Sequence, residues 1–151
     1  MAGDARAPDL IQAVQRYFDL MYDADVAAFD RVFLSSAQLH GFREGRMAML
    51  TAQGFKEALA GRPSPKATGA PRQEEILLMD FASETQAVVK VRVRIHAVVF
   101  VDYLVYHSIH GEWLVTSKAF HVESTEARPG IGSFRRPPHR PRARRPCAPA
   151  I

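Results

Sequence analysis

The residues best suited to chemistry lie in two consecutive apolar segments, VVFVDYLVYHSI and EWLVTSKAFHVE. Asp102 stands in the middle of the first segment, where burying a carboxylate costs free energy unless it is paired or hydrogen-bonded. The alternative is that its pKa is raised and it has a catalytic role. Lys118, in the second segment, is its natural partner. Asp102 is therefore either a structural acid satisfied by hydrogen bonds, the commoner outcome, or a general base.

The register between the two segments decides whether this pair can meet. Their alternation predicts two strands joined by a hairpin at His110–Gly111. In the simplest register Asp102 faces Ala119 and lies on the opposite face from Lys118, whereas a one-residue bulge at the glycine turn would change that arrangement. The simple register collects the following residues on one face, which either lines a pocket or faces solvent or a partner: Tyr103, His107, Thr116, Lys118 and Phe120.

His121 is a second candidate general base, although a lone histidine on a strand is more often a bystander. We expect no metal site and no cofactor, because the chain has neither a His-x-His nor an HExxH pattern and its single cysteine is Cys147. The candidate catalytic residues are Asp102 and His121. The candidate ligand-binding residues are Tyr17, Tyr103, Lys118 and Phe120.

The elements that would position these residues divide into early helices and later strands. Pro8 and Asp9 favour the start of a first helix. Its apolar stripe contains Leu10, Ile11, Val14, Tyr17, Phe18, Met21 and Tyr22. Asp25 is a suitable cap for a short second helix with Val26, Phe29 and Phe33 as its apolar positions. Thr51 caps a third helix that carries Phe55 and Leu59 inward and ends at Gly61.

Strand patterns fill the remainder of the domain. A hairpin with its turn near Arg43–Gly45 precedes the third helix, and from Gln73 onward the apolar period changes to two. EEILLMDF and TQAVVKVRVRIH each predict a strand before the closing hairpin. This order predicts an α+β fold, with N-terminal helices packed on a sheet.

Charge divides the chain into a domain and a tail. Seven of the 20 basic residues are arginines that lie after Glu126, where no acid occurs, so the remainder carries 13 basic against 16 acidic side chains. We predict a flexible N-terminus (1–8), one domain (9–125) and a disordered Arg- and Pro-rich tail (126–151). Nucleic acid is an unlikely partner except nonspecifically through the tail. Without an apolar run of about 18 residues or a signal peptide, we expect no membrane span and a cytoplasmic location.

Two segments carry a resemblance to a known superfamily. YFDLMYDADVAAFDRVF and FVDYLVYHSIHGEWLVTSKAFH resemble the opening helices and the closing hairpin of nuclear transport factor 2-like proteins, which include the polyketide-cyclase-like and ketosteroid-isomerase-like groups. Within that superfamily the chain is most similar to the bacterial group labelled "putative lumazine-binding". The resemblance covers roughly Asp9 to Glu123. It implies a cone in which a strongly curved mixed or antiparallel sheet wraps the helices around a pocket, and many relatives are sheet-to-sheet dimers.

Two functions follow as alternatives. The first is binding of a small apolar or aromatic molecule in the cone, with metal-independent acid–base chemistry as an open question. The second is a noncatalytic homodimerisation module whose pocket is filled by its own side chains. A cavity of about 300 Å³ or more that contains Asp102 would favour the first. The homodimer is expected because both faces of the closing hairpin are apolar. One face carries Val101, Val105, Ile109, Leu114 and Phe120, and the other carries Phe100, Leu104, Tyr106, Trp113 and Val115.

Overall fold

The computed structural model describes residues 4–126. Residues 127–151, which are all but the first residue of the predicted Arg- and Pro-rich tail and include Cys147, lie outside this range, as do the first three residues of the predicted flexible N-terminus. The elements follow in this order: helix α1 (Ala7–Asp23), a 3₁₀ helix (Val26–Arg31), strands β1 (Phe33–Arg43) and β2 (Arg46–Thr51), helix α2 (Ala52–Ala60), and strands β3 (Glu74–Phe81), β4 (Gln86–Ile95), β5 (Val98–Ile109) and β6 (Glu112–Thr125). No helix in this range is long and apolar enough to cross a bilayer.

The predicted α+β class is confirmed. Six strands form one curved, unclosed sheet in the order β2-β1-β6-β5-β4-β3, and the helices cover its inner face. All neighbouring strands are antiparallel except β1 and β6, which are parallel, so the sheet is mixed. The parallel pair lets the early β1–β2 hairpin join the edge of the late β3–β6 meander.

Helix α1 follows its local signals with one difference. Pro8 lies in its first turn with Asp9 beside it, and Ala24 ends it in the left-handed conformation (φ 50°). Leu10, Val14 and Tyr17 are fully buried against the sheet, whereas Ile11, predicted on the buried stripe, is 48% exposed. The buried face of α1 is therefore centred nearer to Leu10 than the predicted apolar stripe, and it leaves Ile11 out.

The short elements after α1 are closed by side-chain caps. Asp25 accepts a hydrogen bond from the Ala27 amide (3.1 Å), and Thr51 Oγ1 accepts one from the Gly54 amide (3.0 Å), so both predicted caps are present. Phe33 differs from the prediction, because it begins β1 instead of ending the 3₁₀ helix. It still packs inward, stacked on Phe29 with ring centroids 5.0 Å apart.

The inner face of the sheet carries the core. On β4 the alternation is as predicted, with Ala87, Val89, Val91 and Val93 buried. On β1, Gly41 lies on the inner face opposite Phe120, and a Cβ there would lie 2.3 Å from the Phe120 ring and 2.4 Å from its carbonyl oxygen. Only glycine lets the Phe120 ring cross β1 at this point.

Replacement of Gly41 by alanine should therefore destabilise the domain. Because a backbone atom as well as the Phe120 ring must move, we expect Gly41→Ala to lower the free energy of unfolding by about 1–3 kcal/mol, measured by chemical denaturation. Gly54→Ala is the matched control, since its Cβ would meet no atom closer than 3.3 Å. Its stability should stay within about 1 kcal/mol of wild type. Equal stability of the Gly41 variant and wild type would contradict the packing described.

Candidate functional site

A bulge in β6 brings Asp102 and Lys118 to the same face of the sheet. Near the turn, Tyr106 pairs with Val115, but the next pair is Val105 with Ser117, so Thr116 is an extra residue. Beyond it Asp102 lies opposite Phe120, and Lys118 lies opposite Leu104. The simplest register is therefore wrong past this point, and the bulge lies within the strands instead of at the glycine turn. The acid and the lysine become diagonal neighbours on the inner face.

Asp102, Lys118 and Tyr17 form a buried polar cluster. The Lys118 ammonium lies 3.2 Å from Asp102 Oδ2, and the Tyr17 hydroxyl from α1 donates a hydrogen bond to the same oxygen. Asp102 is fully buried and Lys118 is 5% exposed. A charge at this depth is tolerated only when a partner of opposite charge and hydrogen bonds replace water, and the cluster supplies a countercharge and a hydrogen bond to one of the two carboxylate oxygens.

Burial governs how the two tyrosines near this cluster ionise. Loss of hydration, followed by the charge and hydrogen bond of Asp102, raises the pKa of Tyr17 well above its usual value of about 10. Its hydroxyl therefore remains a donor at neutral pH. Burial likewise raises the pKa of Tyr106. Asp102 Oδ1 and the Tyr106 hydroxyl have no hydrogen-bond partner among residues 4–126.

Aromatic rings surround the Lys118 ammonium. Its nitrogen lies 5.2 Å from the Tyr17 ring centroid and 5.1 Å from that of Phe55 on α2, which is within the range of cation–π attraction. Within the described residues, Asp102 provides the one oxygen partner of this nitrogen. The ammonium therefore retains donor capacity toward any molecule that enters beside it.

Lys118 borders a cavity of about 200 Å³ at the end of the sheet where the β4–β5 turn approaches α2. Asp102 is not among the lining residues and lies behind Lys118. The apolar lining consists of Leu39, Leu50, Phe55, Ala58, Ile95, Val98, Phe100 and Phe120, and the polar lining consists of Arg43, Arg62, His96 and Lys118. His96 connects the turn to the loop after α2, since its Nε2 lies 3.1 Å from the Pro63 carbonyl oxygen.

The structure separates the sequence-predicted site residues into two groups. Tyr17, Asp102 and Lys118 form the cluster, and Phe120 lines the cavity next to Lys118. Tyr103 lies on the outer face, 44% exposed, with the Lys90 ammonium 5.4 Å from its ring centroid. His121 is also exposed on that face, opposite Val101.

The same bulge corrects the predicted faces of the closing hairpin. Phe120 lies on the inner face with Phe100, and their rings meet edge to face with centroids 6.4 Å apart. The prediction had placed Phe120 with Val101 and Val105, which lie on the outer face. Sequence reasoning also missed Arg43 and Arg62 as site residues, because both flank turns, where an exposed arginine carries no signal of a site.

A double-mutant cycle measures the buried pair. Lys118→Met should lower the free energy of unfolding by about 3–5 kcal/mol, because it leaves the Asp102 carboxylate buried without a countercharge. Adding Asp102→Asn, which keeps an acceptor for Tyr17, should restore part of that loss in chemical denaturation. Lys90→Met on the outer face is the control, with an expected change below about 1 kcal/mol. Additive losses in the double variant would show that the two charges are not coupled.

Comparison with solved structures shows the same fold in proteins of low sequence identity. A nuclear transport factor 2-like protein of unknown function from Silicibacter pomeroyi is 20% identical, with a TM-score of 0.69, and the match covers 82% of this chain and 100% of that one. A similar protein of unknown function from Shewanella baltica is 19% identical, with a TM-score of 0.70 and coverage of 82% and 100%. A ketosteroid isomerase-like protein from Erwinia carotovora atroseptica is 14% identical, with a TM-score of 0.63 and coverage of 81% and 99%.

The sequence itself matches one protein family. No curated protein matches the chain significantly. The family described as "Putative lumazine-binding" matches residues 7–121, which include α1, strands β1 to β5, most of β6 and the Asp102–Lys118 pair. The chain therefore belongs to this family and has the cone fold of the nuclear transport factor 2-like superfamily.

Proposed function

We propose that this domain binds a small molecule in the cavity beside Lys118. The observation that carries the proposal is an open, mainly apolar cavity that ends on a buried lysine with unused donor capacity. Apolar walls with a few placed polar groups are the usual composition of a small-molecule site. A buried ion pair often stabilises a fold no more than apolar residues of similar size would, so stability alone does not explain a lysine at this position.

The cavity limits the size of the ligand. Its volume of about 200 Å³ is below the roughly 300 Å³ that would have favoured a binding pocket, Asp102 does not line it, and it is smaller than the usual site for drug-sized ligands. It is nevertheless open space bordered by Phe55, Phe100 and Phe120, not a cone filled by its own side chains. A molecule of one or two rings is the size that these walls accommodate.

Lys118 is the group that would meet the ligand. Its ammonium can donate to a carbonyl or ring-nitrogen acceptor, while Asp102 behind it holds the ammonium in place. Tyr17 in turn holds Asp102 by a hydrogen bond. If the domain is catalytic, this lysine–carboxylate unit is its acid–base machinery, because His121 and Tyr103 lie on the outer face.

Blocking the cavity should abolish binding. We expect Ala58→Trp to eliminate binding of naphthoate and naphthamide, two probes of suitable size, in ligand-observed NMR titrations, because Ala58 lines the cavity. Ala60→Trp is the matched control, since Ala60 lies on the same helix, is also exposed and does not line the cavity. Failure of both probes to bind wild type, or binding that the Ala58 variant retains, would contradict the proposal.

Homodimerisation through the outer face of the sheet is the second candidate function. One row of paired residues crosses the six strands on this face: Leu78, Lys90, Tyr103, Ala119, His40 and Met49. Leu78, Met49 and Tyr103 are among the most exposed large apolar side chains described. Exposed apolar side chains on three strands of one sheet face favour a partner surface.

Light scattering at micromolar concentration tests this second function. Wild type should have the mass of a dimer, and Tyr103→Glu should have that of a monomer, because it places a charge at the centre of the face. Ile11→Glu is the control, since Ile11 is an equally exposed apolar residue on α1. A monomeric wild-type mass would exclude a dimer at this concentration.

A further inference from the structure

Positive charge is concentrated around the cavity of a domain that is otherwise acidic. Without the seven arginines after Glu126, the chain has 13 basic and 16 acidic side chains. The cavity nevertheless has Arg43, Arg62 and Lys118 among its lining residues, and within the described part of the chain no acid lines it. Such a local excess attracts anions even when the net charge of the domain does not.

The uncompensated part of this charge lies at the mouth of the cavity. Lys118, at depth, is neutralised by Asp102. Arg43 and Arg62 are exposed, and neither has a carboxylate within ion-pair distance among residues 4–126. Arg92 on the outer face, in contrast, pairs with both Glu75 and Glu123. The two cavity arginines are therefore available to a ligand.

The deep end of the cavity favours an uncharged acceptor. An anionic group placed against Lys118 would also approach the Asp102 carboxylate, and repulsion between the two anions would offset much of the attraction to the ammonium. A carbonyl oxygen or a ring nitrogen can accept from Lys118 without that repulsion. Between the two ends, the edge-to-face rings of Phe100 and Phe120 form an apolar wall suited to a flat ring.

We infer that the ligand is a small aromatic anion bound in one orientation. Its ring lies among Phe55, Phe100 and Phe120, and its carboxylate or equivalent acidic group lies at the mouth with Arg43 and Arg62. The group that reaches Lys118 is a neutral hydrogen-bond acceptor. The inference rests on the proposed binding function and adds to it the charge class of the ligand and its orientation.

The first test compares naphthoate with naphthamide, which has nearly the same shape but no charge. With the full chain, naphthoate should bind about tenfold more tightly in ligand-observed NMR titrations, and its advantage should shrink as salt is added. The Ala58→Trp variant retains the arginines after Glu126 and should bind neither probe, which would show that those arginines do not account for the naphthoate preference.

The second test removes the mouth charges one at a time. Arg43→Met and Arg62→Met should each lower the ratio of naphthoate affinity to naphthamide affinity about threefold or more, and the double variant should bind the two probes equally. Arg31→Met is the control, because Arg31 is exposed, has no ion pair among the described residues and lies near Gly111, at the opposite end of β5 from the cavity.

The outcomes separate this inference from the proposed function. Equal affinity of wild type for the two probes, or a naphthoate preference that survives loss of both arginines, overturns the anion inference and leaves cavity binding intact. If neither probe binds wild type, or if Ala58→Trp does not block their binding, both the anion inference and the proposed binding function are overturned. A preference for naphthoate that Arg43→Met and Arg62→Met reduce, and Arg31→Met does not, supports the inference.

Discussion

The burial of Asp102 and Lys118 is the constraint on which the rest of the site depends. Two charges removed from water are tolerated only when they lie on the same face and close enough to compensate each other. In a regular antiparallel hairpin their positions would fall on opposite faces. The extra residue at Thr116 reverses the facing of β6 from Ser117 to Val122, and it thereby places Lys118 beside Asp102 and Phe120 in the wall of the cavity.

The shape of the cavity depends both on a missing side chain, at Gly41, and on the side chains that surround it. Gly41 has no side chain where β1 passes Phe120, so the phenylalanine ring occupies the space that a Cβ at that position would need. Helix α2, capped by Thr51, carries Phe55 toward Lys118 from the other side. Because Asp102 cancels the charge of Lys118, the electrostatic character of the cavity is set at its mouth by Arg43 and Arg62.

Local signals predicted most of the elements, because they act within a few residues. The Asp25 and Thr51 caps and the turn at His110–Gly111 are all present, since each depends on a side chain or a backbone conformation at that position. Helix α2 also ends at Gly61 as predicted, although Gly61 does not adopt the left-handed conformation. The differences arise where neighbours in space decide. Ile11 lies outside the buried stripe of α1, and Phe33 belongs to a strand, because packing against the sheet overrides helical periodicity.

The sequence by itself determined the class of fold, the order of helices and strands, and the short set of residues that could do chemistry, since composition and periodicity are local properties. Only the tertiary structure decided which of those residues meet. Alternation assigns residues to faces relative to one another, and the extra residue at Thr116 reverses that assignment from Ser117 to Val122, where a second shift in register follows. Tyr17, on a helix 85 residues earlier in the chain than Asp102, joined the cluster only through folding. Arg43 and Arg62 likewise line the same cavity only because folding brings the end of β1 and the loop after α2 together.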